Sequence, residues 1–314
     1  MTAPAAFGER VLKFGPALRE TRLSVLTPFH KHDPSALLEA MARAPEGVEF
    51  VLLDDGSGSA ELLANVATAA AKLNAPARIV VWGANRGRAT ARNRLIAEAQ
   101  GEYVLFLDAD MLPDARNFLA RWLDVAQRER PFAAFGGLSL RLAKLTPETA
   151  LHYNLFGASD CRDAELRQRA PAQFTASANL MVRRDFLAEN PFDDGFVGWG
   201  FEDVDWALRA AQHAPILHVD NPATHAGLDD VDTLIRKSEQ AGPNFARLAQ
   251  KHPAQVSRFA AHRVARLLRL APARAALRGA FAWLARDPLG AAPMPVRRTA
   301  LKLYRASCYA EYLA

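Results

Sequence analysis

Four short, nearly continuous apolar runs alternate with helix-patterned segments over the first 130 residues: Leu23–Thr27, Val48–Leu53, Ala77–Trp82 and Tyr103–Leu107. Runs of this kind need cover on both faces, which a parallel sheet sandwiched between helices provides. The intervening segments predict helices from Asp33-Pro34 to Arg43, over Ser59–Leu73, over Gly87–Gln100 and over Asp114–Arg128. The fold class expected is therefore α/β. Two of the runs end in acids, Asp54-Asp55-Gly56-Ser57 and Asp108-Ala109-Asp110. Sheets of this class bind ligands beyond the carboxyl ends of their strands, so both acidic clusters fall at the binding edge.

Past residue 130 the pattern is less regular. Phe132–Leu142, Ala178–Val182 and Ile216–Val219 read as strands, and residues 147–169 are mixed. Asp203–His213 and Val231–His252 read as helices, the second interrupted near Gly242-Pro243. Three further helices, over residues 256–270, 272–286 and 296–312, are separated by prolines.

Charge divides the chain. Residues 255–314 carry eleven Lys/Arg against two acids, a balance of +9, whereas the other 254 residues sum to −4. Cys161 and Cys308 are far apart and show no metal-type spacing, which points to a reducing compartment. The first twenty residues contain Glu9, Arg10, Lys13 and Arg19, unlike a signal peptide, and no apolar run approaches the ~20 residues that span a bilayer. A cytoplasmic protein is expected, at most peripheral on the cytoplasmic face of a membrane.

Candidate chemistry sits in four places. Asp108 and Asp110 are close carboxylates at a strand end; they repel unless a cation is near, and oxygen ligands suit Mg²⁺ or Mn²⁺. An acidic triplet is also ordinary loop chemistry, so position is what favours the metal. Asp54 and Asp55 suit a ribose or base edge, or simply a solvated turn, and the residues leave open which one faces a ligand. Asn85 to Asn93 opens a helix whose glycine and free N–H groups suit an anion; Arg88 and Arg92, one turn apart, could meet a diphosphate or pair with nearby acids. Gly198-Trp199-Gly200-Phe201-Glu202-Asp203-Val204-Asp205 sets three acids behind a Trp flanked by glycines. A Trp face stacks on sugar rings and a carboxylate accepts a hydroxyl proton, although first-turn acids of a helix read the same way. His225, in a strand-end loop after Ile216–Val219, could supply a nitrogen to a metal beside Asp110.

In this order, with Thr27-Pro28-Phe29 after the first strand, these elements resemble the family 2 glycosyltransferases of GT-A fold, over roughly Leu23 to His225. The Gly198–Asp205 segment is also similar to the C-terminal catalytic segment of β-1,4-galactosyltransferases and polypeptide GalNAc-transferases. The resemblance implies a metal-dependent, inverting transferase, using Mn²⁺ or Mg²⁺, that moves a hexose or N-acetylhexosamine from a UDP-sugar to a saccharide or lipid-linked saccharide, in surface polysaccharide or glycoconjugate synthesis. Asp203 would be the general base and Glu202 would touch the acceptor. Thr27, Pro28, Asp54 and Asp55 would line the uridine site; Asn85, Arg88, Arg92, Asp108, Trp199 and Gly200 would complete the nucleotide-sugar site. Asp110 and His225, with Asp108, would hold the metal. Those galactosyltransferases have a glycine where this chain has Phe201, a bulk expected to alter acceptor or donor fit.

The expected organisation is an N-terminal extension (1–20), a GT-A domain (21–252, with a nucleotide half 21–130 and an acceptor half 131–252) and a basic helical extension (253–314). That extension is either packed helices with solvated Arg faces or an attachment to anionic lipid. Nucleic acid is not expected, since no recognised module accompanies the charge. The competing readings are a sugar nucleotidyltransferase, which needs a Gly/Arg-rich loop where Thr27-Pro28-Phe29-His30 stands, and an inactive carbohydrate-binding module, which the retained acids at 108, 110, 202 and 203 argue against.

Overall fold

The computed structural model describes residues 8–313. The four apolar runs lie side by side in an eight-stranded sheet with strand order Arg10–Phe14, Ala77–Val81, Val48–Asp54, Leu23–Phe29, Tyr103–Leu107, Asn179–Arg183, Ala133–Phe135 and Ile216–His218. The strand at Leu23–Phe29 pairs in parallel with both of its neighbours, and Val48–Asp54 is parallel to Ala77–Val81. The sheet is mixed at its sides. Asn179–Arg183 runs antiparallel between Tyr103–Leu107 and Ala133–Phe135, and Arg10–Phe14 runs antiparallel along Ala77–Val81. Burial follows the pattern: all seven residues of Val48–Asp54 and all five of Tyr103–Leu107 are buried.

Several expectations change here. The segment assigned to an N-terminal extension contributes the edge strand Arg10–Phe14, anchored by Glu9, whose carboxylate accepts from Arg94 (2.7 Å) and from the Trp82 indole (2.7 Å). Residues 1–7 of that extension lie outside the described residues. The stretch 132–142 is two short strands, Ala133–Phe135 and Leu138–Ser139, in different sheets. Between them Gly136 packs where any Cβ would meet Asn179, Asn221 and Trp122 within 2.6 Å, so only glycine fits the crossing. Residues 223–225, expected as loop, form a strand antiparallel to Met111–Pro113 and parallel to Leu138–Ser139. This small sheet sets His225 opposite Met111, one residue past Asp110.

Helix Val231–Lys251 runs unbroken through Pro243. Proline removes one helical hydrogen bond, but the helix is held by packing. At Gly242 an added Cβ would lie 2.8 Å from the Tyr312 ring and 3.1 Å from the Cys308 carbonyl oxygen, so the glycine lets helix Met294–Tyr312 cross closely. Helices Ala260–Arg269, Arg274–Arg286 and Met294–Tyr312 build a second core with Val231–Lys251, centred on Leu301, Tyr304, Tyr309 and Phe245. Val256 is buried and Phe259, Val264 and Leu268 pack on this core, whereas Leu267 is 70% exposed.

The two cores meet at helix Glu202–Ala210, whose Trp206 packs in the first while Val204 and Leu208 pack on the second. Asp205, on the same helix, is fully buried and accepts from Lys251 (2.7 Å), His252 (2.9 Å) and Arg209 (2.9 Å). Burial alone would raise its pKa; the three donors hold it below the ordinary carboxylate value. Removing one member of a buried charge cluster costs about 3–5 kcal/mol. Asp205→Asn is therefore expected to lower stability by an amount of that order, read as a drop in the midpoint of urea unfolding.

Candidate active site

The carboxyl ends of Leu23–Phe29, Val48–Asp54 and Tyr103–Leu107 open onto a cleft of about 760 Å³. Pro28, Asp55, Asn85, Arg88, Arg92 and Asp108 line it from the sheet side, and Trp199 lines it from the facing loop. A narrower cavity of about 290 Å³ continues from it, bounded by Asp110, Trp199, Asp203, His225 and Lys237. Arg88, Asp108, Asp110 and Trp199 border both spaces.

Asp54 and Asp55 separate as strand alternation requires. Asp54 turns its carboxylate to the Ser57 N–H (2.8 Å) and does not border the cleft. Asp55 borders the cleft, and its carboxylate accepts from the N–H groups of Arg86 (2.6 Å) and Gly87 (3.0 Å) at the start of helix Arg88–Glu98. Burial raises its pKa against those two bonds. Asn85 donates to the Asp55 carbonyl (3.2 Å), closing the same turn. Thr27 is buried at 2% exposure behind Pro28, and neither it nor Asp54 borders the cleft.

Arg88 and Arg92 meet the two open readings with one answer: they pair with acids. Arg92 donates to Asp108 (2.8 Å) and Glu202 (3.0 Å), and Arg88 to the same two carboxylates (3.1 and 2.8 Å). Arg92 and Glu202 are buried, whereas the Arg88 side chain stays 41% exposed at the cleft wall. Asp108 is held down to about 2: burial pushes it up, but the Arg92 and Arg88 charges outweigh burial. Glu202 is lowered in the same way, its burial overcome by Arg88 and Arg92. Glu202 Oε1 thus faces the arginines, a contact that ties down the start of its helix.

Asp203 follows on the first turn of helix Glu202–Ala210 and borders the narrow cavity. Its pKa is raised to about 6, first by burial and then by the neighbouring Glu202 charge, with Arg92 and Arg88 opposing. A half-buried, cavity-lining carboxyl poised near neutrality is the form of a proton acceptor.

The loop before this helix is clamped. Asn244 donates to the carbonyls of Val197 (3.0 Å), Trp199 (3.3 Å) and Gly200 (3.0 Å), and Lys237 lies 5.7 Å over the Trp199 ring. Gly200 itself does not border the cleft; its role is a backbone turn at φ +94°. Phe201 also has positive φ (75°), a left-handed conformation costing about 1–2 kcal/mol for a residue with a Cβ. Its ring packs on Phe245 (5.3 Å) and Tyr309 (5.7 Å), burial of a size that offsets the strain. The side chain points into the second core, so the expected effect of Phe201 on donor or acceptor fit is corrected: its bulk joins the loop to the C-terminal helices. Asn244, Lys237 and Arg305, which borders the narrow cavity, are site residues the sequence did not single out. They come from helices distant in the chain, and nothing local marks them.

Asp110 Oδ2 and His225 Nε2 face each other at 3.1 Å. A carboxylate oxygen and an imidazole nitrogen side by side are donors that suit Mg²⁺ or Mn²⁺, and Asp110 and His225 are the residues that would hold such an ion. Among the described residues no three His, Cys, Asp or Glu side chains group as a fuller metal cage. Asp108 borders the same space, and its two oxygens accept from Arg88 and Arg92. Burial lowers and Asp110 raises the His225 pKa, the rise prevailing.

No curated protein matches this sequence. Two solved structures share the fold over most of their length. One is a mannosyltransferase from Pyrobaculum calidifontis, in complex with GDP-Man and Mn²⁺, at 19% identity and TM-score 0.57, covering 93% of this chain and 87% of that one. The other is TarS 1–349 from S. aureus in complex with UDP-GlcNAc, at 17% identity and TM-score 0.51, covering 91% and 92%. The model of Glycosyl transferase family 2 matches residues 24–189. That match spans over half of the chain, takes in the cleft's strand ends and the two arginines, and shows that the protein belongs to glycosyl transferase family 2 and is a glycosyltransferase of GT-A fold.

Proposed function

We propose that the protein is an inverting, metal-dependent transferase that moves a hexose or N-acetylhexosamine from a UDP-sugar to a saccharide acceptor, in surface polysaccharide or glycoconjugate synthesis. The observation that carries this reading is Asp203: a cavity-lining carboxyl with its pKa near 6, beside Trp199 and across from Asp110 and His225. The nucleotide would occupy the larger cleft over Asp55 and Asn85, and the acceptor the narrower cavity. UDP-GlcNAc in the S. aureus relative supports a uridine donor, while GDP-Man in the archaeal one shows that the fold serves another base. The competing nucleotidyltransferase reading has no support in the cleft, where strand Leu23–Phe29 ends in Pro28-Phe29 and leads into His30 rather than a Gly/Arg-rich phosphate loop.

In the reaction Asp203 takes the proton of the acceptor hydroxyl while that oxygen attacks the anomeric carbon. The bond to the nucleotide's terminal phosphate oxygen breaks with its electron pair, and UDP leaves. Attack from the side opposite the leaving group inverts the anomeric centre. A Mn²⁺ or Mg²⁺ held by Asp110 and His225 would neutralise charge on the diphosphate. Trp199 offers the flat apolar face against which a sugar packs. Arg88 and Arg92 hold Glu202 and Asp108 and, through them, the start of the helix that carries Asp203. Asp54 holds the turn at Ser57 beneath the proposed uridine site.

The basic extension would bring this site to an anionic membrane surface and a lipid-linked acceptor. Leu270 (83% exposed), Leu267 (70%) and Trp283 (49%) stand among Arg258, Arg263, Arg266, Arg269 and Arg274, all exposed. Among the described residues no helix is long and apolar enough to cross a membrane, so attachment would be peripheral.

Four measurements test the reading. Asp203→Asn should lower UDP release from UDP-sugars by at least about a thousandfold while leaving donor binding intact, the scale of losing a general base together with its charge. Transfer by the parent enzyme should fall about tenfold per pH unit below about 6, as Asp203 takes up its proton, and Glu202→Gln should move this acid limb to lower pH, because one of the two causes raising Asp203 is removed. In flotation with anionic liposomes the full chain should rise with the vesicles and lose this on Arg263, Arg266 and Arg269 to Gln; equal flotation on neutral vesicles would remove the membrane role. A product retaining the donor's anomeric configuration by NMR would exclude inversion.

A further inference from the structure

Arg305 is the feature this mechanism leaves unused. It lies on helix Met294–Tyr312, well beyond the residues that match the family, and it borders the narrow cavity together with Asp203, Trp199 and His225. Its Nε is buried without a hydrogen-bond partner. Arg78, Arg92, Arg167, Arg247 and Arg278 leave the same atom unpaired, but each engages carboxylates or carbonyls through its other nitrogens. Arg298 shares the unpaired Nε but borders neither the cleft nor the narrow cavity, so it is the position of Arg305 that sets it apart. Among the described residues Arg305 forms no ion pair, whereas the cavity's other cations do: Arg88 with Asp108 and Glu202, Lys237 with Asp229 (2.7 Å). Its charge is felt by His152, Asp160 and Tyr309, each shifted in part by it.

The backbone that carries Arg305 is held rigidly. One residue before it, the Tyr304 hydroxyl donates to Glu239 (2.5 Å). One turn later Tyr309 stacks on Phe245 at 4.3 Å. The terminal nitrogens of Arg305 have no ion-pair partner in the protein and stand at a cavity wall, where a ligand can meet them. A neutral sugar hydroxyl offers them only uncharged lone pairs, whereas a phosphate or carboxylate matches the planar fork with two charge-assisted bonds.

We propose that Arg305 is an acceptor-specificity residue and that the acceptor carries an anionic group, a phosphate or carboxylate, on the side of the cavity away from the donor cleft. This rests on the assignment of the narrow cavity to the acceptor. Arg305 does not border the larger cleft, which separates its anion from the donor diphosphate. The specificity determinant is thus supplied by the C-terminal helical extension, outside the part of the chain common to the family.

The test is calorimetric titration of the full chain, saturated with UDP and Mn²⁺ so that the donor cleft is filled. The titrants are hexose 1- and 6-phosphates, hexuronic acids, the unmodified hexoses, and a detergent-dispersed polyprenyl-diphosphate hexose. Wild type should bind at least one anionic class about tenfold or more tightly than the parent hexose, the size expected of a charge-assisted pair. Arg305→Gln should abolish that difference without changing UDP-sugar binding or thermal stability, and Arg305→Lys should restore part of it. A preference confined to the polyprenyl compound identifies a lipid-linked source; a preference for the soluble phosphates or uronic acids identifies a soluble one. Equal binding of charged and neutral sugars, no binding by any of them, or a parallel loss for both in Arg305→Gln would overturn the proposal. UDP-sugar binding and UDP release measured on the same preparations report separately on the transferase reading.

Discussion

The ion-pair square formed by Arg88, Arg92, Asp108 and Glu202 is the interaction on which the site depends. It joins three elements that the chain supplies far apart: the helix Arg88–Glu98, the end of strand Tyr103–Leu107, and the first turn of helix Glu202–Ala210. Two carboxylates and two guanidiniums satisfy each other; Arg92 and Glu202 are buried, where either alone would be strongly unfavourable, and Arg88 and Asp108 close the square at the cleft wall. The arrangement also sets Asp203. Glu202 keeps its charge because the arginines face it, and that retained charge, added to burial, pushes the adjacent Asp203 upward. One network therefore fixes both the position of the proposed base and its readiness to take a proton.

A second constraint comes from the C-terminal helices. Phe201 accepts a left-handed backbone so that its ring can reach Phe245 and Tyr309, and Asn244 holds three carbonyls of the same loop. The basic extension is thus built into the site wall, through Phe201 on one side and Arg305 on the other, while its outer face carries exposed leucines and arginines. Inner and outer faces of the same helices answer different demands, packing in one case and a charged surface in the other.

Much of the sheet was legible because its strands are buried on both faces and so read as uninterrupted apolar runs. Asn179–Arg183 and Ile216–His218 were legible for the same reason. The edge strand Arg10–Phe14 was not, since Arg10 and Lys13 break its apolar pattern and an edge needs cover on fewer sides. Ala223–His225 and Met111–Pro113 are three residues each, too short for any periodicity, and exist only through pairing with each other and Leu138–Ser139. The helix through Gly242-Pro243 reads as broken from local propensity; the close crossing of the last helix keeps it whole.

For the site, the sequence by itself determined which chemistry was present and in what order: acids at two strand ends, a helix opened by glycine with two arginines, a Trp between glycines before three acids, and a histidine near a late strand. Local spacing encodes these, because each motif lies within one turn or one loop. Tertiary structure alone decided which member of each set faces the ligand space. Asp55 rather than Asp54, Asp203 rather than Glu202 or Asp205, and the pairing of Asp110 with His225 follow from partners many residues away. Burial and charge pairing are properties of the assembled chain: a carboxylate beside two guanidiniums becomes a structural anchor, and its immediate neighbour, equally acidic in sequence but without such a partner, is left to face the cavity.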